Sequence, residues 1–220
     1  MPPAVLQPRK HAKAHRQQAL VDAATSVFAE RGYDCATTRE IAERAGVSEG
    51  LIHRYFGSKR GLLLAILEQK SRMVEETLRA GVPDRDDLHD EIRDIVLWSL
   101  DFMWRARDFM RVASAQGIID ADIGRFIGGR LDGERVRIIR DKLRRHKAAG
   151  RIRDDVDPAV VAQLISALTY ESGFFMQTVF AMPRAEVKRI VREVVHIIVR
   201  GIEAQPTTDN SNGRRGASAC

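Results

Sequence analysis

Apolar side chains recur every three or four residues along almost the whole chain, from Leu20 to Ile202, broken only by short stretches containing Gly, Pro or Asp. That period buries one stripe of an α-helix, whereas a half-buried strand needs strict two-residue alternation. Leu20, Ala23, Ala24, Val27 and Phe28 give the first stripe, on a helix over about residues 15–31 that Gly32 stops. Later breaks place helices at about 87–106, 108–117, 121–149, 158–181 and 184–203. Asp157-Pro158 opens one of them as an N-cap followed by proline at the first helical position. The expected fold class is all-α: a small N-terminal helical unit over residues 13–60, then a larger helical domain over 61–203. Residues 1–12 read as a flexible basic arm and 204–220 as a disordered tail.

Charge narrows the partner. The formal net charge is +6, and residues 1–60 hold ten Lys/Arg against six Asp/Glu, a surplus of four at one end of the chain. Such a patch suits a polyanion. The two cysteines, Cys35 and Cys220, form neither a CxxC clip nor a disulfide framework, which suits a reducing, cytoplasmic setting; Cys35 reads as a small buried filler. The polar N-terminus lacks a signal-peptide core, and no stretch is expected to approach the ~20 apolar residues of a membrane span.

The densest motif lies at residues 37–56. Thr37 with Glu40 three residues later forms a capping box that opens a short helix with Ile41, Ala42 and Ala45 inward. Gly46-Val47-Ser48 then makes a turn, and Ser48 is expected to cap the helix carrying Glu49, Gly50, Leu51, Ile52, His53, Arg54, Tyr55 and Phe56. Ser58 caps the next helix after Gly57. Two short helices across a glycine-containing turn form a helix-turn-helix, whose second helix fits a major groove roughly 12 Å wide. Thr38, Arg39, His53, Arg54, Tyr55 and Lys59 can reach phosphates and base edges, and the helix start at Ser48 offers its amides to an anion. Lys10, Lys13 and Arg16 are expected to add phosphate contacts.

The register from Leu20 through Gly32-Tyr33, Thr37-Thr38, Ile41-Ala42, Ala45-Gly46-Val47-Ser48, Gly50, Ile52, Tyr55-Phe56 and Ser58-Lys59 to Leu62-Leu63 resembles the N-terminal domain of the TetR family of transcriptional regulators. The resemblance implies a three-helix DNA-binding domain, a longer fourth helix leading to a helical ligand-binding domain, and a homodimer formed through about residues 158–203. It implies base-edge contacts from Arg39, Glu49, Gly50 and Leu51, and phosphate contacts from Thr38, His53, Tyr55 and Lys59. His53 stands where the family usually has tyrosine, and Leu51 where it has a small polar residue, so no operator sequence transfers.

The implied function is a homodimeric repressor released from a palindromic operator by a small, apolar effector. An activator or ligand-independent regulator, or an architectural DNA-binding protein, would share the same motif. Trp98, Phe102, Met103, Phe109, Met110, Phe174 and Phe175 are candidates for an effector pocket, with plain core as the competing reading. Ile197, Ile202 and Tyr170 are candidates for a partner-facing set. Asp86, Asp87 and Asp90 match a DDxxD pattern that would bind magnesium diphosphate in an all-helical enzyme, but acidic residues at a helix start also complement its dipole, and a second acidic motif is missing. No metal site, cofactor or catalytic residue is expected, and His196 reads as a core or interface histidine.

Overall fold

The computed structural model describes residues 7–204. Ten α-helices follow one another: α1 Gln7–Cys35, α2 Thr38–Arg44, α3 Gly50–Phe56, α4 Lys59–Gly81, α5 Leu88–Arg105, α6 Arg107–Ile119, α7 Ala121–Phe126, α8 Gly133–Ala148, α9 Pro158–Tyr170 and α10 Arg184–Ile202. Two π-helical segments, Ile127–Asp132 and Glu171–Val179, join α7 to α8 and extend α9. Among the described residues, the nearest thing to a strand is an isolated bridge between Ile152 and Glu203.

Local chemistry sets most helix ends. The Thr37, Ser58, Asp87, Asp120 and Asp157 side chains each accept a backbone N–H from the turn they open. Gly32, at φ 76°, breaks α1 where the sequence places its end. At its other end α1 begins at Gln7, so residues 7–12 of the expected arm are helical; Pro8 falls in the first turn, where its missing N–H costs nothing. Residues 1–6 of that arm and the tail from residue 205, with Cys220, lie outside the described residues. The Ser48 expectation needs a second correction. Glu49 occupies the cap position of α3 without a side-chain bond, and the Ser48 carbonyl accepts from Leu51 N at 3.1 Å. Cys35 is exposed rather than buried.

Two apolar clusters hold the molecule. The first joins Leu20, Val27 and Phe28 of α1, Ile41 of α2 and Ile52 of α3 to Leu62, Leu63 and Ile66 of α4. It also takes in Phe109, Met110 and Ala113 of α6, with Ile123 and Phe174. A boundary at residue 60 therefore cuts one core: the first half of α4 and much of α6 belong with the N-terminal helices. The second cluster packs Leu78, Ile92, Ile95, Ile139, Leu143, Ile165, Val187, Val191 and Val195. Beside it the fully buried Glu91 carboxylate meets His146 Nε2 at 2.7 Å, Lys142 Nζ at 2.8 Å and the Arg145 guanidinium. Pro158–Val179 forms a continuous helix long and apolar enough to cross a membrane by length and composition, contrary to expectation. It packs against α5 and α8, with 44% of that apolar stretch buried.

Candidate nucleic-acid interface and a cavity in the second domain

Helices α2 and α3 bury Ala42 and Ile52 in the first cluster and leave their polar faces outward. Two side chains of that outward face are already joined: the Thr38 hydroxyl donates to Glu49 Oε1 at 2.5 Å, linking the start of α2 to the start of α3. Arg39 leans on Glu43 at 2.9 Å and is largely solvent-exposed. Gly50, Glu49, His53 and Arg54 are exposed, with Leu51 and Tyr55 half-buried beneath them. His53 Nδ1 lies 3.3 Å from the Gly57 carbonyl. With Nδ1–H donating there, a neutral ring presents Nε2 as an acceptor and meets a phosphate as a donor only when protonated. A basic concavity forms where α1 meets α3, between Lys13, Arg16, Arg54 and Tyr55, with Lys13 Nζ 5.7 Å from the Tyr55 ring centre.

Lys59 is placed differently from the sequence reading. Its ammonium donates to the carbonyls of Tyr33 at 2.9 Å, Asp34 at 3.3 Å and Ala36 at 3.0 Å, and sits 4.5 Å from the Tyr33 ring centre. All three protons are engaged within the chain, so in the free protein Lys59 clamps the α1–α2 connection to α4 instead of offering itself to phosphate. Two residues on, Gly61 lies against α3 so closely that a Cβ there would stand 1.9 Å from the Phe56 carbonyl oxygen. These contacts fix α3 on α4.

The second domain contains a cavity of about 270 Å³ with mainly apolar walls. Trp98, Phe102, Met103 and Met110 line it as the sequence suggests. Trp98 and Phe102, both in that lining, stack with ring centres 5.2 Å apart and planes within 14°. Phe109, Phe174 and Phe175 are not in that lining; Phe109 and Phe174 belong to the first core cluster, and Phe175 packs against it. Tyr170, expected at a subunit contact, lines the cavity instead, 2.8 Å from the Ser114 hydroxyl. Sequence reasoning missed the cavity's ionic group. Arg135 is buried, and its Nη2 donates to Asp132 Oδ1 at 2.7 Å and to Ser166 Oγ at 2.6 Å, while the Ser166 hydroxyl donates to the same Asp132 oxygen. Burial pushes the Arg135 guanidinium below its ordinary basicity, and Asp132 opposes that shift. The available signal was register: Arg135 falls in line with buried Ile138, Ile139, Leu143 and His146 on α8.

Two connections run from this cavity to the N-terminal helices, and a third contact ties α4 to α7 outside the cavity lining. Val74 of α4 lines the cavity, on the same helix that starts at Lys59. Met103, Met110 and Ala113 both line it and belong to the first core cluster. Arg60, at the head of α4, bonds Asp120 at 2.6 and 3.0 Å and Asp122 at 2.9 Å, at the head of α7. That pairing, with the backbone N–H groups of α7, holds the Asp120 carboxyl far below the usual carboxylate range.

Val160, Leu164 and Ile197 leave apolar side chains exposed on α9 and α10, whereas Ile202 is buried in the second cluster. His196 is exposed, its ring 6.2 Å from that of His89. The acidic triplet serves the helix start. Asp87 caps α5 through Asp90 N, Asp90 pairs with Arg93 at 2.5 Å, and Asp86 lies 3.6 Å from Arg151.

Residues 20–66 match the family described as bacterial regulatory proteins, tetR family. An HTH-type transcriptional repressor from Mycobacterium tuberculosis is 33% identical over 151 residues, covering 69% of this chain and 76% of its own. The nucleoid occlusion factor SlmA from Haemophilus influenzae is 28% identical over 178 residues, 78% of each chain. Among solved structures, a TetR-family regulator from Mesorhizobium loti superposes with a TM-score of 0.74 at 17% identity, covering 87% of this chain and 98% of its own. SmeT, solved as a complex with triclosan, gives 0.66 at 20% identity over 86% of this chain and 92% of its own. The chain belongs to the TetR family of transcriptional regulators: it is a DNA-binding, helix-turn-helix regulator and not an enzyme.

Proposed function

We propose that this regulator is a homodimeric repressor that leaves a palindromic operator when a small, mostly apolar molecule enters the second-domain cavity. The observation that carries the reading is the cavity itself, lined by α4 and by core side chains shared with the reading head. Two α3 helices would enter successive major grooves roughly 34–36 Å apart. Arg39, Glu49, Gly50 and Leu51 face base edges in this reading, while Thr38, His53, Arg54 and Tyr55 face phosphates, joined by Lys13 and Arg16. Exposed Val160, Leu164 and Ile197 suit a partner's matching helices, as apolar faces of paired helices do in bundles. The mycobacterial relative's description as a repressor supports the direction of control, and the solved SmeT–triclosan complex supports an apolar effector. Such a protein would work in the cytoplasm, on the chromosome.

Selection of genomic fragments bound by the purified protein tests this. The expected product is a two-fold symmetric site bound by a dimer, and Leu164→Glu should shift the species in light scattering to a monomer with weakened operator binding. Fragments without symmetry, or equal affinity for all duplexes at fixed salt, would overturn the reading.

A further inference from the structure

Resting on the cavity as the effector site, the chemistry of its wall says what kind of molecule it takes. We infer that the effector is a neutral one- or two-ring compound carrying a single hydrogen-bond-accepting group, and that the Asp132–Arg135 pair selects against both acids and amines. Size comes first. At about 270 Å³ the cavity sits just below the range of roughly 300–1,000 Å³ typical of drug-sized ligands. Shape comes second: the stacked Trp98 and Phe102 rings both contribute to the lining, and aromatic surface suits another ring.

Charge decides the rest. Arg135 brings one positive charge to the wall and Asp132 cancels it at 2.7 Å, with Ser166 tying both together. A carboxylate ligand would add a second negative charge beside Asp132, and an ammonium a second positive charge beside Arg135. Either is left uncompensated in a poorly hydrated space, where an unpaired ion is costly. A neutral ligand avoids both penalties. The acceptor preference rests on donors that the wall leaves unspent. Ser114 and Tyr170 share one hydrogen bond at 2.8 Å, which uses one of their two hydroxyl hydrogens and leaves the other to donate. Arg135 Nε–H is a further buried donor without a partner.

Isothermal titration of the full chain with four matched two-ring probes tests this: 1-acetonaphthone, 1-ethylnaphthalene, 1-naphthoate and 1-naphthylmethylamine, the last as its ammonium at neutral pH. The ketone should bind about three- to tenfold more tightly than the hydrocarbon, the value of one hydrogen bond, and more than about tenfold more tightly than either ion. Asp132→Asn keeps the acceptor oxygen for Arg135 and Ser166 but removes the negative charge. It should tighten naphthoate by about tenfold or more and leave the ketone within about twofold. Should that variant melt early, the four probes on the unaltered chain decide alone. Equal binding of ketone and hydrocarbon, or tightest binding of either ion, overturns the ligand class and leaves the cavity reading standing. Binding of none of the four overturns the cavity reading and the ligand class with it.

Discussion

Lys59→Met separates the two jobs a lysine at the mouth of a reading head can do. Methionine keeps an unbranched stem and removes the ammonium. Three carbonyls, on Tyr33, Asp34 and Ala36, then lose their shared donor, and the Tyr33 ring loses its cation. A hydrogen bond to a charged group contributes about 1.5–3 kcal/mol net, and a partly exposed cation–π contact about 0.5–1 kcal/mol. The three carbonyls share one charge and water reaches part of the site, so the terms do not add in full. A loss of about 2–3 kcal/mol is expected, or about 5–10 °C in melting temperature for a chain of this size. Circular dichroism reads that shift. Fluorescence anisotropy against a fixed duplex from 50 to 200 mM salt reads the second quantity. Removing a clamp leaves the slope of log K against log salt unchanged, whereas removing a cation that neutralises a phosphate lowers it by about one. An unchanged melting temperature with a slope reduced by one would refute the clamp and restore Lys59 to the phosphate backbone.

Three further outcomes are expected. Gly61→Ala drives a Cβ into the Phe56 carbonyl, so α3 must shift on α4; a loss of about 3 kcal/mol and of DNA affinity should appear in melting and anisotropy, with probe binding in the cavity retained. Glu91→Gln leaves Lys142 and Arg145 without their buried anion and should cost about 3–5 kcal/mol in thermal unfolding, with the salt slope of DNA binding unchanged. The Asp120 carboxyl is depressed, so its pairing with Arg60 is complete above the ordinary carboxylate range and is lost only as pH falls toward the lower folded value. Asp120→Asn should therefore reproduce at neutral pH what strong acid does to this contact: operator binding persists in anisotropy, while ligand-induced release weakens severalfold.

Local chemistry was legible. Helix stripes, the caps at Thr37, Ser58 and Asp157, and the stop at Gly32 all depend on residues within a turn of one another. The contacts that escaped are distant in the chain. Lys59 finds its carbonyls 23–26 residues earlier, and Arg135 meets Ser166 31 residues later. Nothing in periodicity announces the π-helical turns at Ile127–Asp132 and Glu171–Val179, since each widens a helix the sequence reads as regular. Counting aromatics found one wall of the cavity but could not say which face of each helix meets the void, so Phe109 and Phe174 went to the core and Tyr170 came inward. Buried ions did leave a trace: Glu91 and Arg135 both fall in register with apolar neighbours, where a charge must have a partner.

Met103, Met110 and Ala113 line the cavity and also belong to the cluster that holds α1 and α4, so one set of side chains serves both. A guest that displaces this shared set should be felt in the first cluster, because close-packed neighbours transmit a displacement. Sharing also makes the two halves thermally one body: heating should melt them together, and a guest in the cavity should slow amide exchange in α1, which it never touches. The N-terminal helices cut free at residue 60 would lose these shared contacts, and with them the surface on which their shape depends.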